Sequence, residues 1–489
     1  MAKQEWERRR GLGSALFALA MLAPGLAPAQ DAEAGGQAFA RHCASCHGPR
    51  ARGGEGPDLT GHIYMHGADD QSVSNSIRDG QPGGMPSFRA TLSDADIGNM
   101  VAFLGERRRD PTNPPLVRPY AFAPTLPKGA VKSDVETFRV EAVAKLETPY
   151  GLAFLPDGRI LITELSGSLR VVEKGRLSPT PIAGAPTGGV EGQRGQRGRN
   201  LLDVAVDPDF KHNGWIYLSS ARPVQSAKAE RLFTARITRG RIRHGAWVDS
   251  EILTEFPIET PTALNMAFDP DRNLYIGVSW PDYQLVTPQT APSAPPQLLS
   301  SSMGKILRMT ADGKAPADNP FVGKGGAYPY VFSYGHRAPL GLAFDRKGEL
   351  WETENGPRGG DELNHVRAGR NYGWPGSSWG LRYDDVPAPA APDQKGVEQP
   401  VINWSPSPSV SAIAFYYGKA FPRWTGNLIM GSLKQTDLYR IVLDGDRPVL
   451  QEVILHALGR IRDVEIGPEG YVYVLTDEGN LMRLVPTRR

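Results

Sequence analysis

One hydrophobic rhythm recurs six times between residues 151 and 475. It reads GLAFLPDGRILI at 151–162, LDVAVDPDFKHNGWIYL at 202–218 and MAFDPDRNLYI at 266–276. It returns as LAFDRKGELW at 342–351, IAFYYGKAFPRWTGNLIM at 413–430 and VEIGPEGYVYVL at 464–475. Each copy alternates apolar and small residues, breaks at Gly, Asp or Pro, and resumes as a second β-rich run, so each predicts a strand, a tight turn and a second strand. Units of this kind, about 45–80 residues apart, predict a six-bladed β-propeller. A large irregular sandwich is the rival arrangement. Before residue 110 the period changes to that of a helix. Leu92-Ser93-Asp94-Ala95-Asp96 reads as a cap, and Ile97, Met100, Val101 and Leu104 form the apolar face behind it.

The first residues follow a third pattern. Arg8–Arg10 precede an apolar run from Gly11 to Leu22, and Ala27-Pro28-Ala29 supplies small residues for cleavage before Gln30. This predicts a secretory signal over 1–29 and a periplasmic or otherwise exported protein. The run is short for a bilayer, so no integral span is expected in the mature chain; a retained anchor is the alternative. Six prolines between Asp110 and Lys128 predict an extended spacer. The expected organisation is a small helical domain at 31–108, a Pro-rich linker at 109–134 and the propeller at 135–489.

Composition adds little to the fold and more to the chemistry. With 489 residues, 40 % apolar and 22 % charged, the chain is globular, and 55 Gly with 43 Pro suit a turn-rich β architecture. The net charge of +2 is nearly removed with the signal, which carries Lys3, Arg8, Arg9 and Arg10 against Glu5 and Glu7. No nucleic-acid partner is implied. The only cysteines, Cys43 and Cys46, stand in Cys43-Ala44-Ser45-Cys46-His47, the pattern of covalent c-type haem attachment with His47 on the iron. A redox dithiol is the alternative, and zinc lacks a second cysteine pair. Gly83-Gly84-Met85-Pro86 offers Met85 as the second axial ligand. Met65, His62 and His66 are rivals, whereas Met100 has the spacing of a core residue. The region resembles a small class I cytochrome c, which implies electron transfer to a downstream redox acceptor.

The densest stretch runs from Tyr334 to Pro375. An alternating strand pair, 341–344 and 349–353, is joined by a charged turn and followed by the Gly/Pro loop 355–360, the acidic pair Asp361–Glu362 and Asn371-Tyr372-Gly373-Trp374-Pro375. Backbone carbonyls and carboxylates in one loop suit a hard cation. Gly335-His336-Arg337-Ala338-Pro339, Glu354-Asn355-Gly356-Pro357 with Gly359–Asn364, and the Asn371–Pro375 stop resemble the calcium- and quinone-binding segment of the soluble pyrroloquinoline-quinone (PQQ) dehydrogenases of the glucose/sorbosone and aldose sugar family. The resemblance spans about 140–486. It implies a six-bladed propeller with PQQ over the central channel, and a sugar or polyol substrate. It further implies calcium on the carbonyls of Gly356 and Pro357, and a second calcium at Glu362 and Tyr372. Asp361 is left to assist or to face water. Arg337, Lys434, Arg460 and Arg462 would meet the quinone carboxylates.

The resemblance fails around the reacting centre. Pro261 stands where the family has its general-base His, and Trp280 where an acid orients that His. Ala338 replaces the quinone-site Asn, and a Gln is lost near Gly198-Arg199-Asn200. His336 and Asp282 are the candidates to act as base instead. Three readings follow: a quinohaemoprotein dehydrogenase passing electrons to haem; a cytochrome fused to a degenerate propeller that binds or docks; and an enzyme with another base or substrate.

Overall fold

The structure is a computed structural model; it describes residues 30–47, 51, 59–60, 69–81, 85–109, 124, 126–186, 201–224, 233–260, 264–281, 286–287, 289–357, 359–380, 394–405 and 407–487. The expected signal, most of the proline stretch, Met65, His62, His66, Gly83, Gly84, Pro261, Asp282 and residues 198–200 lie outside these.

The N-terminal part is helical. Asp31 caps helix Ala32–His42 by accepting the Glu33 and Ala34 amides at 2.9 and 3.1 Å. Ser93 and Asp96 cap helix Asp94–Arg109 as the sequence predicts: the Asp96 amide donates to Ser93 Oγ, and the Ser93 amide to Asp96 Oδ2. Ile97, Met100, Val101 and Leu104 are buried against Phe39, Val73 and Ile77. The two long helices cross at Gly35, where any Cβ would collide with the backbone of Asn99 and Met100.

The remainder forms six antiparallel sheets. Five are four-stranded and each uses consecutive strands, with inner strands Pro149–Phe154, Leu201–Val206, Met266–Phe268, Pro339–Phe344 and Val410–Phe415. The sixth, with inner strand Ile461–Ile466, is completed by chain from the other end: Thr137–Lys145 pairs with Asn480–Pro486, and Val131–Lys132 forms its edge. The ring is thus latched by its N-terminal strand. The sheet begins at Val131, inside the stretch expected to be linker. Phe138 of the latch is fully buried against Phe421 and Trp424. Each repeat seen in the sequence contains the first hairpin of a blade, and the 341–353 pair appears with Phe344 opposite Leu350.

Neighbouring blades are tied by buried polar groups. Asp203, third in its inner strand, accepts the Met266 amide of the next blade at 2.6 Å; Asp463, also third in its strand, accepts Leu152 N–H at 2.7 Å and so joins the last blade to the first. Each also accepts the amide of the residue after it. Burial pushes the Asp463 carboxyl up to about 7 while these amides oppose the shift. Among the described residues, no helix is long and apolar enough to cross a membrane.

Candidate functional site

In the helical part, Cys43 is buried just before the short helix Ala44–His47, Cys46 is exposed within that helix, and His47 at its end is buried. Met85 packs against the same apolar cluster as Cys43. Its carbonyl accepts the Gln81 amide at 3.0 Å, and the chain after it is pinned to helix Asp70–Asp79 by Phe88 N–H on Ile77 O and Arg89 N–H on Arg78 O. Gly80 makes this turn feasible: its φ is +73°, and a Cβ would lie 2.6 Å from the Met85 carbonyl. Met100 is fully buried in the core, 3.9 Å from the Cys43 thiol. Two thiols three residues apart at one short helix, a buried imidazole and a pinned methionine form a donor set that suits a c haem.

In the propeller, residues before an inner strand and residues after the second strand of a hairpin emerge at the same rim. Arg337 precedes Pro339–Phe344, Asn355 and Gly356 follow Leu350–Glu354, Lys434 follows Leu428–Ser432, and Asp477 follows Val472–Thr476. The rim is stitched by hydrogen bonds. Arg337 Nη1 donates to the carbonyls of Asn355 (2.6 Å) and Gly356 (3.0 Å), and Asn355 Nδ2 to Val410 O. Ser409 Oγ donates to Asn355 Oδ1 and Leu433 N–H to Ser409 O, while Arg460 Nη1 reaches Leu433 O at 3.2 Å. Arg460 and Arg462 converge on Asp477, Arg462 through two bonds of 2.8 and 2.9 Å, and the Arg462 guanidinium lies 4.8 Å from the Tyr150 ring. Burial alone would raise the Asp477 carboxyl, but Arg462 and Arg460 hold it below its usual range. The Lys434 side chain is exposed. Arg337, Lys434, Arg460 and Arg462 therefore share one rim across three blades. Four cations on one rim suit an anionic, multiply carboxylated cofactor.

The Gly/Pro loop lies on this rim. A Cβ on Gly356 would strike the Gly359 and Gly360 backbone, so the loop folds on itself with its carbonyls crowded together. The Gly356 carbonyl already accepts from Arg337 and keeps one lone pair for a cation; Pro357 is buried beside it. Crowded carbonyl oxygens of this kind suit calcium.

Three readings of individual residues change. Asp361 does not face water: it is fully buried and accepts the Gly356 amide, the Val410 amide and Ser407 Oγ, tying the loop to the next blade. Burial pushes its carboxyl up to about 6 against those three bonds. The Tyr372 hydroxyl is engaged, donating to His365 O at 2.8 Å and accepting the Arg367 amide, so only its backbone remains for a calcium beside Glu362. His336 is withdrawn as a base toward substrate. It has no exposed surface, stacks on Tyr372 at 4.5 Å, and bonds Ser333 Oγ through Nε2 at 2.8 Å.

Trp280, in the place of the orienting acid, is buried in an apolar cluster with Trp374, Ala291 and Ala294. Its amide donates to the Arg337 carbonyl, and its own carbonyl accepts Trp374 Nε1. Ala338 is buried, with its amide on Glu354 Oε2. A cavity of about 420 Å³ lies at the opposite rim, around Lys347, Glu349, His365 and Asp446, away from these groups.

The sequence reading overlooked two buried polar groups behind the rim. One is Lys305, whose ammonium donates to three carbonyls. The other is the set His336, Glu352 and Glu354. The i, i+2 spacing of the two glutamates on one strand was the available signal.

The profile of the family described as Glucose / Sorbosone dehydrogenase matches residues 146–483. That described as cytochrome c oxidase, cbb3-type, subunit III, matches residues 30–104. The aldose sugar dehydrogenase YliI of Escherichia coli (strain K12) is 37 % identical, over 72 % of this chain and 93 % of that one. The apo-form structure of the soluble aldose sugar dehydrogenase from Escherichia coli superposes with a TM-score of 0.62 at 35 % identity, over 72 % of this chain and all of the other. The PQQ-bound aldose sugar dehydrogenase from Streptomyces coelicolor gives 0.54 at 27 % identity, over 74 % and 99 %.

Proposed function

From the premise that the chain belongs to the glucose/sorbosone dehydrogenase family and carries a cytochrome c domain ahead of it, we propose an exported quinohaemoprotein dehydrogenase that oxidises a sugar or polyol hydroxyl. The observation that carries this reading is the shared rim of Arg337, Lys434, Arg460 and Arg462 beside the folded Gly/Pro loop. PQQ, when bound there, would supply a two-electron acceptor. Arg337 and the Arg460/Arg462 pair would neutralise its carboxylates, with Asp477 accepting from both guanidinium groups of the pair. The carbonyls of Gly356 and Pro357 would hold the first calcium, and Glu362 with the Tyr372 backbone the second. Cys43 and Cys46 would anchor the haem and His47 and Met85 would ligate it; when bound, it would supply a one-electron carrier toward a downstream acceptor. We assign the signal to 1–29, the cytochrome domain to 31–108, the tether to 109–130 and the propeller to the rest.

The proton acceptor is unassigned. With His336 enclosed, Asp282 is the remaining candidate from the sequence. The test is to add PQQ, calcium and a panel of aldoses and polyols to the purified full chain and follow haem reduction. The reading expects reduction that needs all three additions; haem that stays oxidised with every substrate would overturn it. A second reading, a cytochrome joined to a propeller that only binds or docks, is favoured by the apolar packing of Trp280 where an acid is expected, and predicts that second outcome.

A further inference from the structure

Behind the Arg337 turn lies a group of buried ligand atoms that the proposed quinone and calcium sites do not use. His336 and Glu352 have no exposed surface and Glu354 has 4 %. His336 Nδ1 lies 3.5 Å from Glu354 Oε1 and 4.0 Å from Glu352 Oε2, and one ligand atom from each residue falls within 4.8 Å of the others. Few donors serve them. Asn364 Nδ2, with two protons, faces Glu352 at 3.1 Å, Glu354 at 3.3 Å and Glu362 at 3.1 Å. The other oxygen of Glu354 takes the amides of Arg337 and Ala338. That leaves His336 Nδ1 and Glu352 Oε1 fully buried without a hydrogen-bond partner, the imidazole nitrogen aimed at the carboxylates. An orphaned acceptor in such a place is destabilising, the more so when charged.

We propose that His336, Glu352 and Glu354 bind one divalent first-row transition ion, manganese or zinc, as a structural brace. Separations of 3.5 and 4.0 Å are too long for hydrogen bonds. They are close to what a shared ion requires, because bonds of about 2.0–2.2 Å put neighbouring ligand atoms roughly 3–3.5 Å apart. Ser333 Oγ lies 2.8 Å from Nε2, and in the tautomer whose Nε2–H donates to that hydroxyl, Nδ1 presents its lone pair, the usual outer support of a metal-bound imidazole. The imidazole donor selects against calcium, which takes oxygen ligands. The ion clamps the His336–Arg337 turn to the second strand of its blade, and the Arg337 amide is already bonded to Glu354. It would therefore set the position of a rim cation from behind.

The test uses the untagged full chain, expressed with added manganese and zinc and dialysed against calcium-saturated EDTA. This buffer keeps calcium sites filled and strips loosely held transition ions. Elemental analysis should find one equivalent of manganese or zinc per chain beyond haem iron, and only traces in Glu352→Gln and His336→Gln. Wild type without that equivalent overturns the proposal, as does full retention by both variants. If neither variant folds, the wild-type stoichiometry still decides. None of these readouts depends on PQQ or on turnover.

Discussion

Replacing Lys305 with Met probes how the basic rim is held. The lysine lies in strand Lys305–Thr310 with no exposed surface, and its ammonium donates to Pro295 O (2.8 Å), Pro296 O (2.9 Å) and Met303 O (2.8 Å). The segment it gathers is bonded in turn to the site. Gly335 N–H donates to Pro296 O, His336 N–H to Gly304 O, and Gln297 Nε2 to Trp374 O. Methionine keeps the stem but removes three hydrogen bonds from the ammonium; Pro296 O keeps the Gly335 amide and Pro295 O the Leu298 amide, while Met303 O loses its Lys305 donor. At about 1 kcal/mol per hydrogen bond, discounted because burying the ammonium was itself unfavourable, the loss is about 3 kcal/mol. With an unfolding entropy of ~2.1 cal/mol/K per residue over a propeller of this size, Tm should fall by about 4 °C. Near-ultraviolet circular dichroism reports the propeller, and the Soret band reports the haem domain, which should melt unchanged. Burial pushes Lys305 down to about 7, whereas the three carbonyls favour the charged form. While burial dominates, the folded chain releases the proton before the unfolded chain does. The contribution of Lys305 relative to Met then grows with pH between about 7 and the ordinary lysine value of 10.5. A loss below about 1 kcal/mol would refute the cage as a support. A contribution that shrinks as pH rises through that window would refute the dominance of burial.

Met85→Ala should abolish the sulfur–iron charge-transfer band of the oxidised haem and lower its potential; a surviving band would assign the ligand elsewhere. Calcium added to chelated protein should raise the propeller Tm in proportion to RT ln(1 + [L]/Kd), and Glu362→Ala should blunt the rise. Phe138→Ala, which empties a buried aromatic site on the latch strand, should cost about 3–5 kcal/mol in denaturant unfolding, and a much smaller loss would mean that the latch is dispensable. Pro261→His alone should leave glucose-dependent haem reduction slow, because no acid orients the imidazole. Adding Trp280→Asp should raise the rate by up to about 10²-fold but lower Tm, since Trp280 is buried among apolar groups.

The ring was legible because a blade hairpin is local: Gly151–Ile162 contains both its strands and its turn, and Leu152 lies opposite Ile162 as alternation requires. The latch was not, because Thr137–Lys145 finds its partner more than 300 residues away and no local signal names it. The same limit applies to the site. Arg460 and Arg462 were paired correctly by their spacing, but Asp477, the carboxylate between them, lies on the following hairpin end. His336 was a candidate base without any spacing to support it; its complete burial, its stacking on Tyr372 and its contact with Ser333 remove it.

The departures from the family pattern are consistent with a site divided by function. Arg337, Arg460 and Arg462 are tied into the fold by carbonyls and by Asp477, so losing one would disturb several loops. Trp280 is tied in as firmly, through Trp374 on one side and the Arg337 carbonyl on the other. Its replacement of an acid is therefore a packed feature of this rim and not a loose end. The indole stands at that position as an apolar group packed on Trp374, Ala291 and Ala294. On the proposed reading, such a chain would keep affinity for a carboxylated quinone and still take a different substrate, because charge recognition would rest on Arg337, Arg460 and Arg462 and the unassigned proton acceptor would be sought on other loops, near residues 260 and 280. Substrate choice should accordingly respond to changes near Trp280, and cofactor affinity to changes at Asp477.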